Sequence, residues 1–274
     1  MAVINAADVA KLRRVTLAGM MDCKKALEEA DGNFDKAIEI IRKKGQAVAN
    51  KRADKEATEG VVIAKTNGKL GVLIVLNSET DFVAKNADFT GLAEKIANLA
   101  LQNNPANLDA LLALPLEGSN VGDKVVEFIG IIGEKLQLSY YEKIEAEHVQ
   151  AYIHPGSRLA TIVGFTKAGL DEQVYKDVAM QVAAMNPVSV DKDSVPESVI
   201  AQELEIGKEQ ARRDGKAEDM LEKIAQGKLA KFFKESTLLN QEFVKDNKMT
   251  ISQYLQSIDK VLTVTDFKRF TLNL

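Results

Sequence analysis

The sequence predicts an α+β fold: a helical N-terminal region, then two related strand-and-helix regions, the second carrying a protruding antiparallel helical hairpin. Three observations predict it. Apolar residues recur at helical spacing through the N-terminal region, Asn67-Gly68 joins two apolar runs, and two strand-then-helix patterns each end at an Asn-Pro pair. We expect a helical domain at 1–46, a linker at 47–59, subdomains at 60–138 and 139–274, and the hairpin at 194–234.

The N-terminal region is predicted to be three short helices that share one core. Asn5 and Asp8 have the spacing of a capping pair, Asn33 can cap the third helix, and Gly45 is expected to end it. Apolar residues of the second and third helices repeat at i, i+3, i+4 and i+7, which is one helical face. Cys23 lies on this face, so a core role is favoured over a nucleophilic one.

Both later regions are predicted to begin with a hairpin of strands. Asn67-Gly68 fits a type I′ turn between the first pair, and Pro155-Gly156 connects the second. A weak match between the two regions suggests an internal duplication, in which the first region has extra residues at Glu79–Asn86. The expected long helices lie near 87–101, 122–136, 170–185, 196–213 and 217–234, the last two forming a coiled-coil-like hairpin.

Composition narrows the classes of function. A single cysteine cannot form an internal disulfide, and no run approaches the roughly 20 apolar residues that span a bilayer. The N-terminal residues also lack a basic segment followed by an apolar core, so we expect a cytoplasmic protein with no membrane association. A net charge of -4 disfavours nucleic acid as the main partner and favours another protein.

The chain lacks the usual signatures of nucleotide or metal chemistry. It contains neither Gly-x-x-x-x-Gly-Lys-Ser/Thr nor Gly-x-Gly-x-x-Gly, which cradle phosphates. His148, His154 and Cys23 have no metal-ligand spacing among themselves. We therefore expect no catalytic residue, no metal, no cofactor and no direct nucleotide binding.

Four blocks, in this order, together resemble the elongation factor Ts family over nearly the whole chain. They are Ala18–Leu27 with Asp35–Gly45, Thr80–Asn86, Tyr152–Arg158 with Val182–Pro187, and Gln226–Glu235 with Leu239–Val244. The resemblance implies a ubiquitin-associated-like fold for the N-terminal domain. It also implies guanine-nucleotide exchange on the GTPase elongation factor Tu as the function.

The second block carries the implied working residues. By the resemblance, Phe82 wedges between helices of the GTPase near its magnesium site, and Asp81 disturbs the groups that hold the ion. Thr80 and Val83 flank this pair, and Ile132-Gly133 would press on the same surface. Without the resemblance, the residues favour Phe82 as a core anchor and Asp81 as the cap of the next helix.

The resemblance also implies a contact from the N-terminal domain, made by Arg13, Met20 and Met21. The two methionines are predicted to lie in the turn between helices, where flexible thioethers suit a partner, although a core role is the alternative. The chain departs from the family pattern at Leu17, where Gly is usual. The C-terminal helical module of some members is also expected to be absent after Phe270.

A third implied contact, with another domain of elongation factor Tu, involves His154, Val244 and Lys245. His154 would otherwise be an ordinary exposed residue of a Pro-Gly turn. The helical hairpin or the C-terminal subdomain could additionally support a homodimer.

Two rival functions use other residues. An RNA-binding protein could use the basic residues Lys43, Lys44, Lys51, Arg52 and Lys55, although neighbouring acidic residues make a solvated linker the simpler interpretation. An acid-base enzyme could be built around Asp81 and His154, provided that the fold brings them together.

Overall fold

The computed structural model describes residues 4–272 and consists of helices and strands in separate stretches, as the α+β class requires. The helices are α1 Ala6–Thr16, α2 Met20–Glu29, α3 Phe34–Lys51, α4 Asp81–Ala84, α5 Ala87–Asn103, α6 Leu108–Leu112, α7 Val121–Ile132, α8 Glu172–Met185, α9 Glu197–Arg213, α10 Glu218–Ser236 and α11 Ile251–Ile258. The strands are β1 Glu59–Thr66, β2 Leu70–Ser78, β3 Pro115–Leu116, β4 Ser119–Asn120, β5 Gln137–Glu145, β6 His148–Ile153, β7 Leu159–Phe165, β8 Glu242–Phe243, β9 Asp246–Thr250 and β10 Val264–Thr271.

The chain divides into two compact units. The first consists of the described parts of 1–63, 74–142 and 272–274, and the second of 64–73 and 143–271. Two three-stranded sheets have the orders β1-β2-β5 and β6-β7-β10. In each, a later strand pairs with the second strand of a hairpin, so both sheets share one connectivity. The internal duplication remains a prediction that this connectivity supports.

The N-terminal helices pack around a small core of their own, which includes Leu12, Cys23 and Leu27, all fully buried. The side chain of Asn5 accepts a hydrogen bond from the Asp8 amide at 2.8 Å, as the capping pattern predicted. Asn33 caps α3 in the same way. The burial of Cys23 confirms its core role.

Helix α3 is longer than predicted, because Gly45 does not end it. The helix continues to Lys51, and Gly45 is buried where α3 packs on α7. Glycine is a common signal for a helix end, but it is also the residue that lets two helix backbones approach closely. Here the second use applies.

The turn between β1 and β2 also differs in type from the prediction. Gly68 has φ +98°, whereas Asn67 is not in the left-handed region. Type I′ needs positive φ at both central residues, so the turn is not of this type. Asn67 instead contributes its side chain, whose Oδ1 accepts the amides of Lys69 and Leu70 at 3.2 and 2.9 Å.

In the second unit, α8 packs on β7 around a core that includes Phe165 and Tyr175. The expected antiparallel hairpin of α9 and α10 is present. The two helices lie close together at Gly207, where an added Cβ would lie 3.1 Å from the Cα of Ala225. The connecting turn contains Gly215 with φ +72°, a conformation that favours glycine.

Candidate functional site

Phe82 lies on α4, the short turn between β2 and α5, and points into solvent. Its side chain is 81 % exposed, the highest value for any large apolar residue among positions 4–272. Only Ala84 of this turn is buried. The alternative that Phe82 anchors the core is therefore wrong.

Polar contacts fix the turn that carries Phe82. Thr80 donates hydrogen bonds from its amide and its hydroxyl to the two carboxylate oxygens of Glu134, at 3.0 and 2.7 Å. Ser78, which is fully buried, donates its hydroxyl to the Thr80 carbonyl at 2.9 Å. The start of α4 is thus held on both sides while its aromatic residue stays outside.

Asp81 is charged and already has a partner. Its Oδ2 lies 2.6 Å from Lys85 Nζ, and the hydrogen bond from Lys85 lowers the pKa of the Asp81 carboxyl below its usual value. The idea that Asp81 caps the following helix is wrong, because Asn86 caps α5 and Thr80 caps α4. Asp81 therefore presents a partly exposed carboxylate beside Phe82.

The end of α7 lies against the same turn. Gly133, with φ +83°, ends the helix at Ile132, four residues before the predicted end, because its amide closes the last turn onto the Ile129 carbonyl. The next two residues contact the Phe82 region: Glu134 binds Thr80, and the Lys135 amide donates to Glu79 Oε1 at 2.6 Å. The fold thus brings Ile132-Gly133 close to the turn.

Met20 and Met21 were predicted to lie in the turn between helices, and this is wrong. They are the first two residues of α2. Gly19 occupies the N-cap position, so the helix begins earlier than the apolar stripe indicated. Both side chains are exposed, by 43 % and 63 %, which excludes the core alternative. Leu17, the residue that follows α1, has φ +57°. This left-handed conformation explains why glycine suits the position.

An open groove of about 610 Å³ lies beside the N-terminal helices within the first unit. Arg13 and Met20 line one side of it, and Asp88 of α5 lines the other. Asp88 follows Phe82 by only six positions in the chain. Arg13 and Met20 of the predicted N-terminal contact thus share this groove with a residue of α5, the helix that follows the Phe82 turn.

The three residues predicted for the second unit lie on its surface. The His154 Nδ1 lies 3.0 Å from the Tyr152 hydroxyl, and Val244 is 52 % exposed between β8 and β9. Lys245 forms an ion pair of 2.7 Å with Asp177, a carboxylate that is otherwise buried.

The same carboxylate organises the residues around it. Asp177 also accepts hydrogen bonds from Tyr254 and Gln173, at 3.2 and 2.5 Å. Burial and then the charge of Asp177 raise the pKa of Tyr254 to about 12, so that the phenol stays a donor. Gln173, which binds Asp177, and Tyr152, which contacts His154, line a shallow groove together.

Sequence reasoning missed the residues that position the site. Glu134 lies 54 positions from Thr80, and Lys135 lies 56 from Glu79, so no local sequence pattern predicts either contact. Asp88 was missed for the same reason, since the groove depends on how α5 and α1 pack.

Between residues 4 and 272, no group of three or more His, Cys, Asp or Glu side chains could hold a metal ion. Among the helices in that range, none has the length and apolar character needed to cross a membrane.

Comparison with known proteins gives a consistent family. A family model described as elongation factor TS matches residues 79–273. The chain is 53 % identical over 267 residues to an elongation factor Ts of Porphyromonas gingivalis, with 97 % of each chain covered. It is 50 % identical over 275 residues to an elongation factor Ts of Flavobacterium psychrophilum, covering 99 % of this chain and 100 % of the relative. The chain therefore belongs to the elongation factor Ts family.

Proposed function

We propose that this chain is a guanine-nucleotide exchange factor for elongation factor Tu and acts by binding, without covalent chemistry. The observation that carries the proposal is the Phe82 turn: an aromatic side chain 81 % exposed on a short helix whose start is clamped by Glu134. Exposure of a large apolar side chain on a fixed turn has no stabilising purpose within the chain. It suits insertion into a partner.

The exchange follows from linkage between two binding equilibria. If the factor weakens the affinity of the GTPase for GDP, GDP must weaken the affinity for the factor by the same ratio. A thousandfold weakening corresponds to about 4 kcal/mol. Burying one Phe side chain contributes about 1.5–3 kcal/mol, so Phe82 requires help from other contacts.

The rest of the surface supplies that help in our proposal. Asp81 acts on the groups that hold the magnesium ion, and Thr80, Val83 and Ile132-Gly133 support the wedge. Because Asp81 is paired with Lys85 in the free chain, it must exchange this partner when it engages the GTPase.

Two further contacts complete the proposed interface. Arg13, Met20 and Met21 hold the nucleotide-binding domain of the GTPase. His154, Val244 and Lys245 hold a second domain.

The charge pattern favours this function over RNA binding. Lys43 lies 2.8 Å from Glu39, whose hydrogen bond raises the lysine pKa, and Arg52 lies 3.0 Å from Glu79. These basic residues of the rival hypothesis are thus already matched by carboxylates. For the acid-base rival, Asp81 bonds Lys85 and His154 bonds Tyr152, so each candidate group has a separate partner.

The direct test measures release of fluorescent GDP from elongation factor Tu by stopped flow, with and without the chain. We expect a large acceleration that saturates with factor concentration and leaves the chain unmodified. Replacing Met20 and Met21 with Ala should raise the factor concentration needed. Met220→Ala is the matched control, because Met220 is a methionine of similar exposure, 49 %, on α10 and is not among the proposed contact residues. No acceleration by the wild-type chain would refute the proposal.

Homodimer formation through the α9–α10 hairpin or the C-terminal subdomain stays a separate proposal. Replacing residues 197–234 with a short Gly-Ser turn should halve the mass measured by light scattering if the hairpin forms the dimer. An unchanged mass would remove the hairpin from consideration.

A further inference from the structure

Helices α3 and α7 cross with their backbones in direct contact at two glycines. A Cβ added to Gly130 would lie 2.4 Å from the Cα of Gly45, and one added to Gly45 would lie 3.4 Å from the Val126 carbonyl oxygen. Carbon atoms in contact normally lie about 3.5–4.0 Å apart. An alanine at 130 would therefore force the helices apart by about 1 Å or more, whereas one at 45 would require a smaller adjustment.

Ion pairs surround this crossing. Arg42 of α3 places its Nε 2.7 Å from Glu127 Oε1 of α7, and its Nη2 donates to the Gly118 carbonyl at 3.3 Å. Lys124, although almost fully buried, reaches the other oxygen of Glu127 at 2.7 Å. The contact is thus supported by an ion pair between the two helices as well as by close packing.

The same helix pair connects the two proposed partner surfaces of the first unit. Next to Gly45, Lys44 of α3 pairs with Asp22 of α2, the helix whose first residues are Met20 and Met21. Arg52, the residue directly after α3, binds Glu79 at 3.0 Å, and α7 is followed, after Gly133, by Glu134, which binds Thr80 of the Phe82 turn. A change at the crossing would therefore move one surface relative to the other.

We propose that Gly45 and Gly130 are positioning residues, which set the spacing between the Met20–Met21 surface and the Phe82 turn so that one partner molecule engages both at once. The effect on partner binding rests on the proposed function, whereas the close packing of α3 on α7 does not. Two linked contacts gain affinity only when their spacing matches the partner, because the second contact then forms at a high effective concentration. Neither glycine touches the partner.

The geometry can be tested without any partner. In a Cys23→Ala background, Lys25→Cys on α2 and Gln102→Cys on α5 offer two exposed thiols for spin labels. Gly130→Ala should shift or broaden the distance distribution by about 1 Å or more, the displacement needed to relieve the overlap, and Gly45→Ala should do so less. Gly91→Ala is the matched control, since an added Cβ on this α5 glycine meets nothing within 4 Å.

A melting curve of each variant shows whether the chain stays folded. A folded Gly130→Ala variant with the wild-type distance distribution would overturn the inference. If Gly130→Ala does not fold, Gly45→Ala decides the question by the same measurement.

The effect on partner binding is tested by asking whether substitutions at Gly130 and Met21 weaken binding independently of each other. Gly130→Ala should weaken binding to elongation factor Tu, and Met21→Ala should weaken it further by a smaller factor in this variant than in the wild-type chain, since the two surfaces no longer act together. Equal factors in both backgrounds would show that the crossing does not position the surfaces for binding. If the wild-type chain fails to bind the GTPase, the proposed function fails, while the label distances still report on the crossing.

Discussion

The two sheets share one connectivity, but the connections that lead from their middle strands to the next long helix differ. In the first, β2 leads into α4 and leaves Phe82 exposed. In the second, β7 leads through residues 166–171 into α8, and the aromatic residues Phe165 and Tyr175 are buried. The first connection thus carries an outward aromatic residue, whereas the second is flanked by inward ones on β7 and α8.

Polar contacts produce both arrangements. In the second connection, the Tyr175 hydroxyl donates to the Lys167 carbonyl at 2.9 Å and accepts from the Leu170 amide at 3.3 Å, which fastens the loop over the buried ring. In the first, the bonds from Thr80 to Glu134 fasten the backbone of the turn and leave the ring free. One connection stabilises its own unit, and the other offers a surface.

The largest loss of stability should come from replacing a buried aromatic residue of the second unit. Phe165→Ala should reduce the free energy of unfolding by about 3–5 kcal/mol, because it removes a fully buried ring and leaves a cavity. Chemical denaturation followed by circular dichroism measures the change. A loss below about 1 kcal/mol would mean that the second connection is not the stabilising one.

Phe82→Ala should have the opposite profile. Stability should stay within about 0.5 kcal/mol of wild type, because the side chain is exposed. Stimulated GDP release should slow by about tenfold, since a loss of about 1.4 kcal/mol of wedge energy corresponds to that ratio.

Stopped-flow release of fluorescent GDP and a melting curve of the same preparation separate the two quantities. A normal release rate would show that Phe82 is not a wedge. A collapsed melting temperature would show that the ring stabilises its own unit after all.

Local signals explain which parts of this comparison the sequence could predict. The hairpins and long helices were found because Asn67-Gly68, Pro155-Gly156 and the helical stripes each carry their information within a few residues. The extra residues at Glu79–Asn86 were located by aligning the two regions. Their conformation, with Phe82 outside, agrees with the family resemblance and not with the interpretation favoured by the residues alone.

Long-range packing explains what the sequence could not predict. Gly45 was taken for a helix end because its partner, Gly130, lies 85 positions away. α6 and the small β3–β4 hairpin were not predicted at all. The short run from 105 to 120 has no sustained periodicity, so its structure depends on the helices beside it.

The Glu134 carboxylate, which binds Thr80, can be removed while Phe82 stays in place. Glu134→Ala leaves the amide and hydroxyl of Thr80 without their acceptor, which should destabilise the chain by about 1–2 kcal/mol and slow GDP release less than Phe82→Ala does. Glu147→Ala is the control, because this exposed carboxylate lies 3.8 Å from Lys69 in a weak surface pair. Release as fast as wild type would show that the turn needs no clamp.

The smallest effect concerns the pH dependence of the second connection. The His148 ring stacks on Tyr175 with ring centroids 3.8 Å apart, and its Nε2 is buried without a hydrogen-bond partner. Burial lowers the pKa of His148 below the ordinary value of a histidine, and this outweighs the opposing effects of Gln150 and Glu172. The unfolded chain therefore binds a proton more readily than the folded one.

The direction of the pH dependence follows from the linkage between protonation of His148 and folding. A histidine with a lowered folded pKa contributes full stability above the unfolded value, and the contribution is lost as pH falls below about 6.5 toward the folded pKa. His148→Phe keeps a ring against Tyr175 but cannot be protonated. Between pH 7.5 and 5.5, the unfolding free energy of the wild-type chain should fall more steeply than that of the variant, as measured by urea denaturation at each pH. Equal slopes for wild type and His148→Phe would mean that the His148 ring does not contribute to the pH dependence in this range.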